Sequence, residues 1–208
     1  MIDDGHIGVD ESGKGDFFGP LVIAACYVGP EHLAELEGVR DSKKLTDAQA
    51  LRLSDRIKRT CPHSVVAIGP AKYNELYANF QNLNKLLAWG HARAIENVLE
   101  IQPAELVISD QFADPAGLRR QLFQKGRQVE LKSMVRAESD IAVAAASILA
   151  RAEFLRRLEK LGLEFDVKLP KGATNVIPTA RRFAATYGVA KLSEVCKTHF
   201  KTYRTVVS

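Results

Sequence analysis

Two adjacent acids, Asp10 and Glu11, close a short apolar run, Ile7-Gly8-Val9, and Ser12-Gly13-Lys14-Gly15 follows at once. Carboxylates grouped at a strand end can hold a hard cation or work as acid and base. Glycines on either side of a lysine let backbone N–H groups come close to an anion, and the ammonium adds a point charge. The two common nucleotide loops are excluded: Phe18 stands where GxGxxG needs its third glycine, and no GK[ST] occurs. As a bare motif the segment also reads as a hairpin turn with surface charge.

Two further acids stand where a site could form. Asp110 ends the strand that begins with the apolar run Leu106-Val107-Ile108. Strand ends at the edge of an open α/β sheet are where such folds place ligands, although Asp after a strand is also an ordinary turn residue. Asp140 opens Ile141–Ala150, which is apolar on every face and therefore predicted to be a buried helix. Taken alone, Ser139 or Asp140 reads as the N-cap of that helix.

Convergence of the four would be costly without a cation, since one carboxylate pair 4 Å apart costs about 4 kcal/mol at an effective dielectric near 20. An all-oxygen set suits Mg²⁺ or Mn²⁺, and no histidine adjoins any of these acids in sequence, which disfavours zinc. Two such ions ~4 Å apart would clamp the attacking and leaving oxygens of a phosphodiester displacement. Neighbours on a strand point to opposite faces, so Glu11 is expected to lie off the axis set by Asp10 or to contribute through its backbone.

The elements that must position these residues alternate between strand and helix periods. Strands are predicted over Ile7–Asp10, Phe18–Val28, Ser64–Ile68, Glu105–Ser109 and Gln128–Met134. Helices are predicted from the Thr46 cap to about Arg59, over Lys72–Phe80, Leu83–Glu100 and Ala116–Gln124, and from about Asp140 to Leu161. A loop spans Gly29–Lys44, and Leu169-Pro170-Lys171-Gly172 breaks the chain before one or two short basic helices. The pattern is that of an α/β fold with a mixed central β-sheet flanked by helices and a helical C-terminal region.

Composition sets the outer limits. At 208 residues, 46% apolar and 26% charged, the chain has the makeup of one ordinary globular domain, 1–208, with no disordered or collagen-like bias. No apolar stretch reaches the ~18 residues of a spanning helix, and no secretory pattern opens the chain. Cys26, Cys61 and Cys196 are odd in number and widely spaced, which fits a reducing interior, so the expected location is cytoplasmic. Charge is uneven: from Val167 on there are eight Lys or Arg and one acid, Glu194, so this basic region (about 167–208) carries +7 while the rest sums to −3. Such a region is a candidate footprint for phosphates, or a solvated lysine-rich face.

The segment DESGKGDFFGPLV resembles the opening motif of the type 2 ribonucleases H, and ribonuclease HIII in particular. The sister ribonuclease HII typically shows DEAGRGP, so Ser12, Lys14 and Asp16 each favour HIII. The likeness continues through Asp41-Ser42-Lys43-Lys44-Leu45, Ser109-Asp110-Gln111-Phe112, Arg136-Ala137-Glu138-Ser139-Asp140 running into Ala145-Ala146-Ser147-Ile148, Leu169-Pro170-Lys171-Gly172-Ala173 and Thr198-His199-Phe200-Lys201-Thr202, nearly the whole chain.

The resemblance implies a ribonuclease H-like fold and metal-dependent cleavage of the RNA strand of RNA/DNA hybrids, leaving 5′-phosphate and 3′-hydroxyl ends. It implies Mg²⁺ or Mn²⁺, with two ions per site. The expected partner is an RNA/DNA hybrid duplex and not a membrane, and the chain is expected to be a monomer. The family's four acidic positions fall on Asp10, Glu11, Asp110 and Asp140. Glu138 competes for the fourth place, but residues two apart on a helix diverge by about 200°, so Asp140 is preferred. Gly13, Lys14 and Gly15 are implied to touch backbone near the scissile phosphate and to sense a ribose 2′-hydroxyl. Ser42, Lys43 and Lys171 are implied nucleic-acid contacts. Ribonuclease HIII usually carries an N-terminal hybrid-binding extension; only nine residues precede Asp10 here, so substrate affinity is expected to lean on the basic C-terminal region.

Overall fold

A computed structural model describes residues 5–39, 42, 45–110, 115–135 and 137–208. It is built around a mixed five-stranded sheet in the order β3-β2-β1-β4-β5, with β1 at the centre. The strands are β1 (His6–Ser12), β2 (Leu21–Val28), β3 (His63–Ile68), β4 (Leu106–Asp110) and β5 (Glu130–Met134). β1, β4 and β5 run parallel, with Ile7 opposite Val107, Gly8 opposite Ile108 and Val9 opposite Ser109. β2 is buried along its whole length, as an inner strand covered on both faces must be.

The helices are α1 (Asp47–Thr60), α2 (Pro70–Phe80), α3 (Leu83–Ile101), α4 (Pro115–Gln121), α5 (Ile141–Glu164), α6 (Ile177–Tyr187), α7 (Val189–Val195) and α8 (Lys201–Val207). α1 opens with a reciprocal capping box, in which Thr46 Oγ1 accepts from the Gln49 N–H and Gln49 Oε1 accepts from the Thr46 N–H. α5 is buried over Ala142–Ala150, as its all-round apolar sequence requires. Among the described residues no helix is long and apolar enough to cross a membrane.

Contacts divide the chain into two compact units. The first takes the segment ending at Glu11, Ile23–Val66 and Leu83–Ala152; the second takes Ser12–Val22, Ala67–Asn82 and Glu153–Ser208. In the first unit the opening turn of α5 lies against β1. A Cβ on Gly8 would run into the Ala142 carbonyl carbon and the Val143 amide nitrogen, so glycine at position 8 permits this approach. In the second unit Phe18 forms an isolated antiparallel bridge with Cys196, and Phe165, Phe183 and Tyr187 pack ring against ring.

Some element bounds differ from the sequence reading. β2 starts at Leu21, not Phe18, because Gly19 adopts φ +81° and Pro20 brings no N–H to a ladder. α4 stops at Gln121 and β5 starts at Glu130, because buried Glu96 draws the intervening chain into turns. Its Oε1 accepts from the Phe123 N–H at 2.7 Å and the Gly126 N–H at 2.8 Å. The loop after β2 contains a 3₁₀ segment, Pro30–Leu36, and the C-terminal region holds three helices instead of one or two.

Candidate functional site

β1 organises the first unit's acids through its two faces. His6, Gly8 and Asp10 alternate onto one face, the one that meets α5. There His6 Nε2 lies 2.8 Å from Asp140 Oδ2, and Asp10 hydrogen-bonds the Ser147 hydroxyl. Glu11 takes the other face and reaches α3, with His91 Nε2 3.0 Å from its Oε2. Asp10 and Glu11 therefore diverge as strand alternation requires, each meeting a partner on a different helix.

Asp110 enters through register. Val9 pairs with Ser109, so the next residue on each of these adjacent parallel strands is Asp10 and Asp110. Neighbouring strands lie ~4.8 Å apart, which brings the two acids side by side at the C-terminal ends of β1 and β4. Asp140 arrives with α5 and does two things at once. Its Oδ1 accepts from the Ala142 and Val143 N–H groups, both at 3.0 Å, which caps the helix, while Oδ2 holds His6. The cap reading and the site reading of Asp140 are compatible, because a carboxylate has two oxygens.

The electrostatics of Asp10 mark this place as one that favours a cation. Its carboxyl is pushed up to about 6, first by burial and then by the charge of Glu11. The Ser147 hydroxyl, the Glu11 N–H (2.8 Å to Oδ1) and His91 act in the opposite direction without cancelling the rise. Among the described residues no group of three or more His, Cys, Asp or Glu side chains is gathered tightly enough to cage an ion by itself. The donors that face this region are carboxylate oxygens, and the Nε2 atoms of both nearby histidines are occupied by carboxylates. That donor chemistry fits a hard divalent cation.

Other residues singled out from sequence fall in different settings. Ser42 is buried, its Oγ 2.7 Å from Ser147 Oγ, and its carbonyl accepts from Arg151, which also reaches Asp47 at 2.8 Å. A chain of hydroxyls thus leads from Asp10 through Ser147 to Ser42. Lys43 and the Glu138 side chain lie outside the described residues. Gly13, Lys14, Gly15 and Lys171 belong to the second unit. Gly13 turns the chain with φ +86°, where a Cβ would meet the Pro20 carbonyl oxygen and the Phe154 ring. Of the eight C-terminal basic residues, seven are exposed; Lys197 is fully buried and forms no part of a surface footprint.

Sequence reasoning missed His6, His91 and Ser147. For His6 the signal was present: it lies four residues before Asp10 on a strand, hence on the same face. His91 carried none, and Ser147 stood only within a block of the family resemblance with no role attached; each sits within an apolar helix and gains meaning from the strand packed against it.

A family model described as ribonuclease HII matches residues 7–203. The chain belongs to this type 2 ribonuclease H family. Its similarity runs to the HIII branch. It is 48% identical over 200 residues to ribonuclease HIII of Protochlamydia amoebophila, covering 95% of this chain and 66% of that protein. Ribonuclease HIII of Chlamydia abortus is 48% identical over 204 residues, covering 95% and 68%. The chain thus spans about two thirds of the length of these relatives. Among solved structures it is similar to Bst-RNase HIII in complex with Mn²⁺, with a TM-score of 0.90 at 34% identity over 99% of this chain and 70% of that one. It is also similar to Aquifex aeolicus RNase H3, with a TM-score of 0.77 at 30% identity over 97% and 74%. The ribonuclease H-like α/β fold expected from the sequence is the fold observed.

Proposed function

We propose that the chain is a metal-dependent endoribonuclease that hydrolyses the RNA strand of RNA/DNA hybrids to 5′-phosphate and 3′-hydroxyl ends, acting as a cytoplasmic monomer. The observation that carries this reading is the register of β1 and β4, which sets Asp10 beside Asp110 at the strand ends in a ribonuclease HIII-like fold. Asp10, Glu11, Asp110 and Asp140 would hold two Mg²⁺ or Mn²⁺ ions. When bound, these ions supply an activated water and neutralise charge building on the phosphodiester.

The protein's own groups have distinct tasks. Ser147 and His91 hold Asp10 and Glu11 in place, and His6 fixes Asp140 while that residue caps α5. Buried partners of this kind keep carboxylates in one rotamer, which leaves less reorganisation for the reaction itself. Gly13, Lys14 and Gly15 contact substrate backbone and sense the ribose 2′-hydroxyl. Lys43 and Lys171 add phosphate contacts. Ser42 supports the site from within, since its hydroxyl is engaged with Ser147.

A second reading is incision at a single ribonucleotide in duplex DNA, favoured by the ribonuclease HII family match. One assay separates the two: labelled RNA/DNA hybrid, DNA with one embedded ribonucleotide, and all-DNA duplex, each with Mg²⁺, Mn²⁺ or EDTA. Metal-dependent cutting confined to the hybrid supports the first reading. Efficient cutting of the single-ribonucleotide duplex supports the second.

A further inference from the structure

Two loops of the second unit, residues 13–19 and 171–172, are tied together by short hydrogen bonds around Asp16 and Lys197. Asp16 Oδ1 accepts from the Gly172 N–H at 2.6 Å, and the Phe17 N–H donates to the Gly172 carbonyl at 2.9 Å. Lys197 Nζ donates to the Asp16 and Gly19 carbonyls, each at 2.8 Å, and its backbone N–H donates to the Phe17 carbonyl at 2.9 Å. The Gly19 N–H returns to the Val195 carbonyl at 3.0 Å. Segment 16–19 is therefore held from both sides, by residue 172 and by residues 195–197.

Lys197 is an unusual residue to find here. It is fully buried, its Nζ 5.5 Å from the Tyr73 ring centroid, and desolvation pulls its ammonium down to about 7. Lysine is almost never fully buried without compensation. Its compensation consists of main-chain carbonyls in the turn that directly follows Gly13-Lys14-Gly15. The same turn carries Asp16, one of the residues by which the motif departs from DEAGRGP. Proline at position 16 has no carboxylate for the Gly172 N–H and no N–H for the Gly13 carbonyl, which the Asp16 N–H reaches at 3.3 Å.

We infer that Asp16 and Lys197 are positioning residues that fasten the Gly13-Lys14-Gly15 loop to the Lys171-Gly172 loop, so that Lys14 and Lys171 hold one stretch of nucleic-acid backbone. The inference rests on the proposed reading of these loops as hybrid contacts and adds what sets their spacing. Neither Asp16 nor Lys197 touches the reacting phosphate. Their effect falls on substrate affinity, leaving the chemical step unchanged.

The test is a coupling experiment on the full chain. Hybrid affinity is measured by fluorescence anisotropy with Mg²⁺ in an Asp110→Asn background, and kcat and KM in the otherwise unaltered chain. Asp16→Ala is expected to weaken Kd and raise KM five- to tenfold with kcat within twofold, while Asp16→Asn, which keeps an acceptor at Oδ1, restores both. Lys197→Met is expected to give the same split. In a Lys14→Ala/Lys171→Ala background, Asp16→Ala is expected to add less than twofold, a dependence that a merely structural role would not show. Unchanged Kd and KM in Asp16→Ala, a loss confined to kcat, or a full five- to tenfold effect without the two lysines would each overturn the inference. An unaltered chain that neither binds nor cuts hybrid would overturn the underlying reading instead, and this is seen before any loop variant is compared.

Discussion

His6 and Asp140, 134 positions apart in sequence, share a hydrogen bond of 2.8 Å between Nε2 and Oδ2, with both side chains largely shielded from solvent. The bond joins the start of β1 to the start of α5, and it leaves Oδ1 of Asp140 to cap the helix. His6→Ala is expected to lower kcat about 10- to 100-fold and weaken metal affinity, with hybrid Kd within twofold, because the partner that orients Asp140 is lost while the substrate loops are untouched. His6→Gln, which can still donate, is expected to recover part of that loss. Steady-state kinetics across a Mn²⁺ titration checks both.

Gly8 and Gly15 make opposite predictions although both lie in the same motif. Gly8→Ala forces a Cβ into the backbone of Ala142 and Val143, and is expected to destabilise the protein by about 2–4 kcal/mol or prevent folding. A Cβ on Gly15 meets nothing within 4 Å, so Gly15→Ala is expected to leave Tm within about 2 °C. Thermal denaturation followed by circular dichroism distinguishes them.

These contrasts show what could be read without coordinates. The short apolar run of β1 ending in acid and the all-round apolar run of α5 located the strand end and the buried helix, and the Thr46 cap located α1. Pairing could not be read, because strand periodicity fixes which face a residue takes and not which strand lies beside it. Placing Asp10 next to Asp110 needed the β1–β4 register, and finding His91 and Ser147 needed α3 and α5 packed against β1. Ser42 illustrates the converse. Its motif suggested a substrate contact, while its surroundings engage the hydroxyl internally.

Ser42→Ala therefore distinguishes an internal role from a direct one. With its hydroxyl shared with Ser147 and its carbonyl held by Arg151, the substitution is expected to cost about 1–2 kcal/mol of stability and leave KM for hybrid within twofold. A raised KM at unchanged Tm would instead assign the hydroxyl to substrate.

The raised carboxyl of Asp10 has a consequence for the metal-free protein. Its folded value of about 6 exceeds the ordinary 3.8, so between these values the folded state binds more protons than the unfolded one. This group's contribution accordingly falls as pH rises from about 4 to about 6, and above 6 the ionised form costs on the order of 3 kcal/mol. In EDTA at pH 7.5, Asp10→Asn is expected to raise Tm by several degrees, and with Mg²⁺ present it is expected to abolish cleavage. Added Mg²⁺ is expected to stabilise the unaltered chain more at pH 7.5 than at pH 5, and Asp10→Asn little at either. Differential scanning calorimetry at the two pH values measures this.

The most direct test of the central claim, that carboxylates aligned at the β1 and β4 ends carry metal-dependent hybrid cleavage, compares the unaltered chain with Asp110→Asn. Both are assayed on one labelled RNA/DNA hybrid for cutting and for binding, with Mn²⁺ and with EDTA. The account expects the unaltered chain to cut only with metal, and Asp110→Asn to bind within about threefold while cutting at least 10³-fold more slowly. Asp110→Asn cutting at the unaltered rate, or the unaltered chain cutting equally well in EDTA, would contradict it.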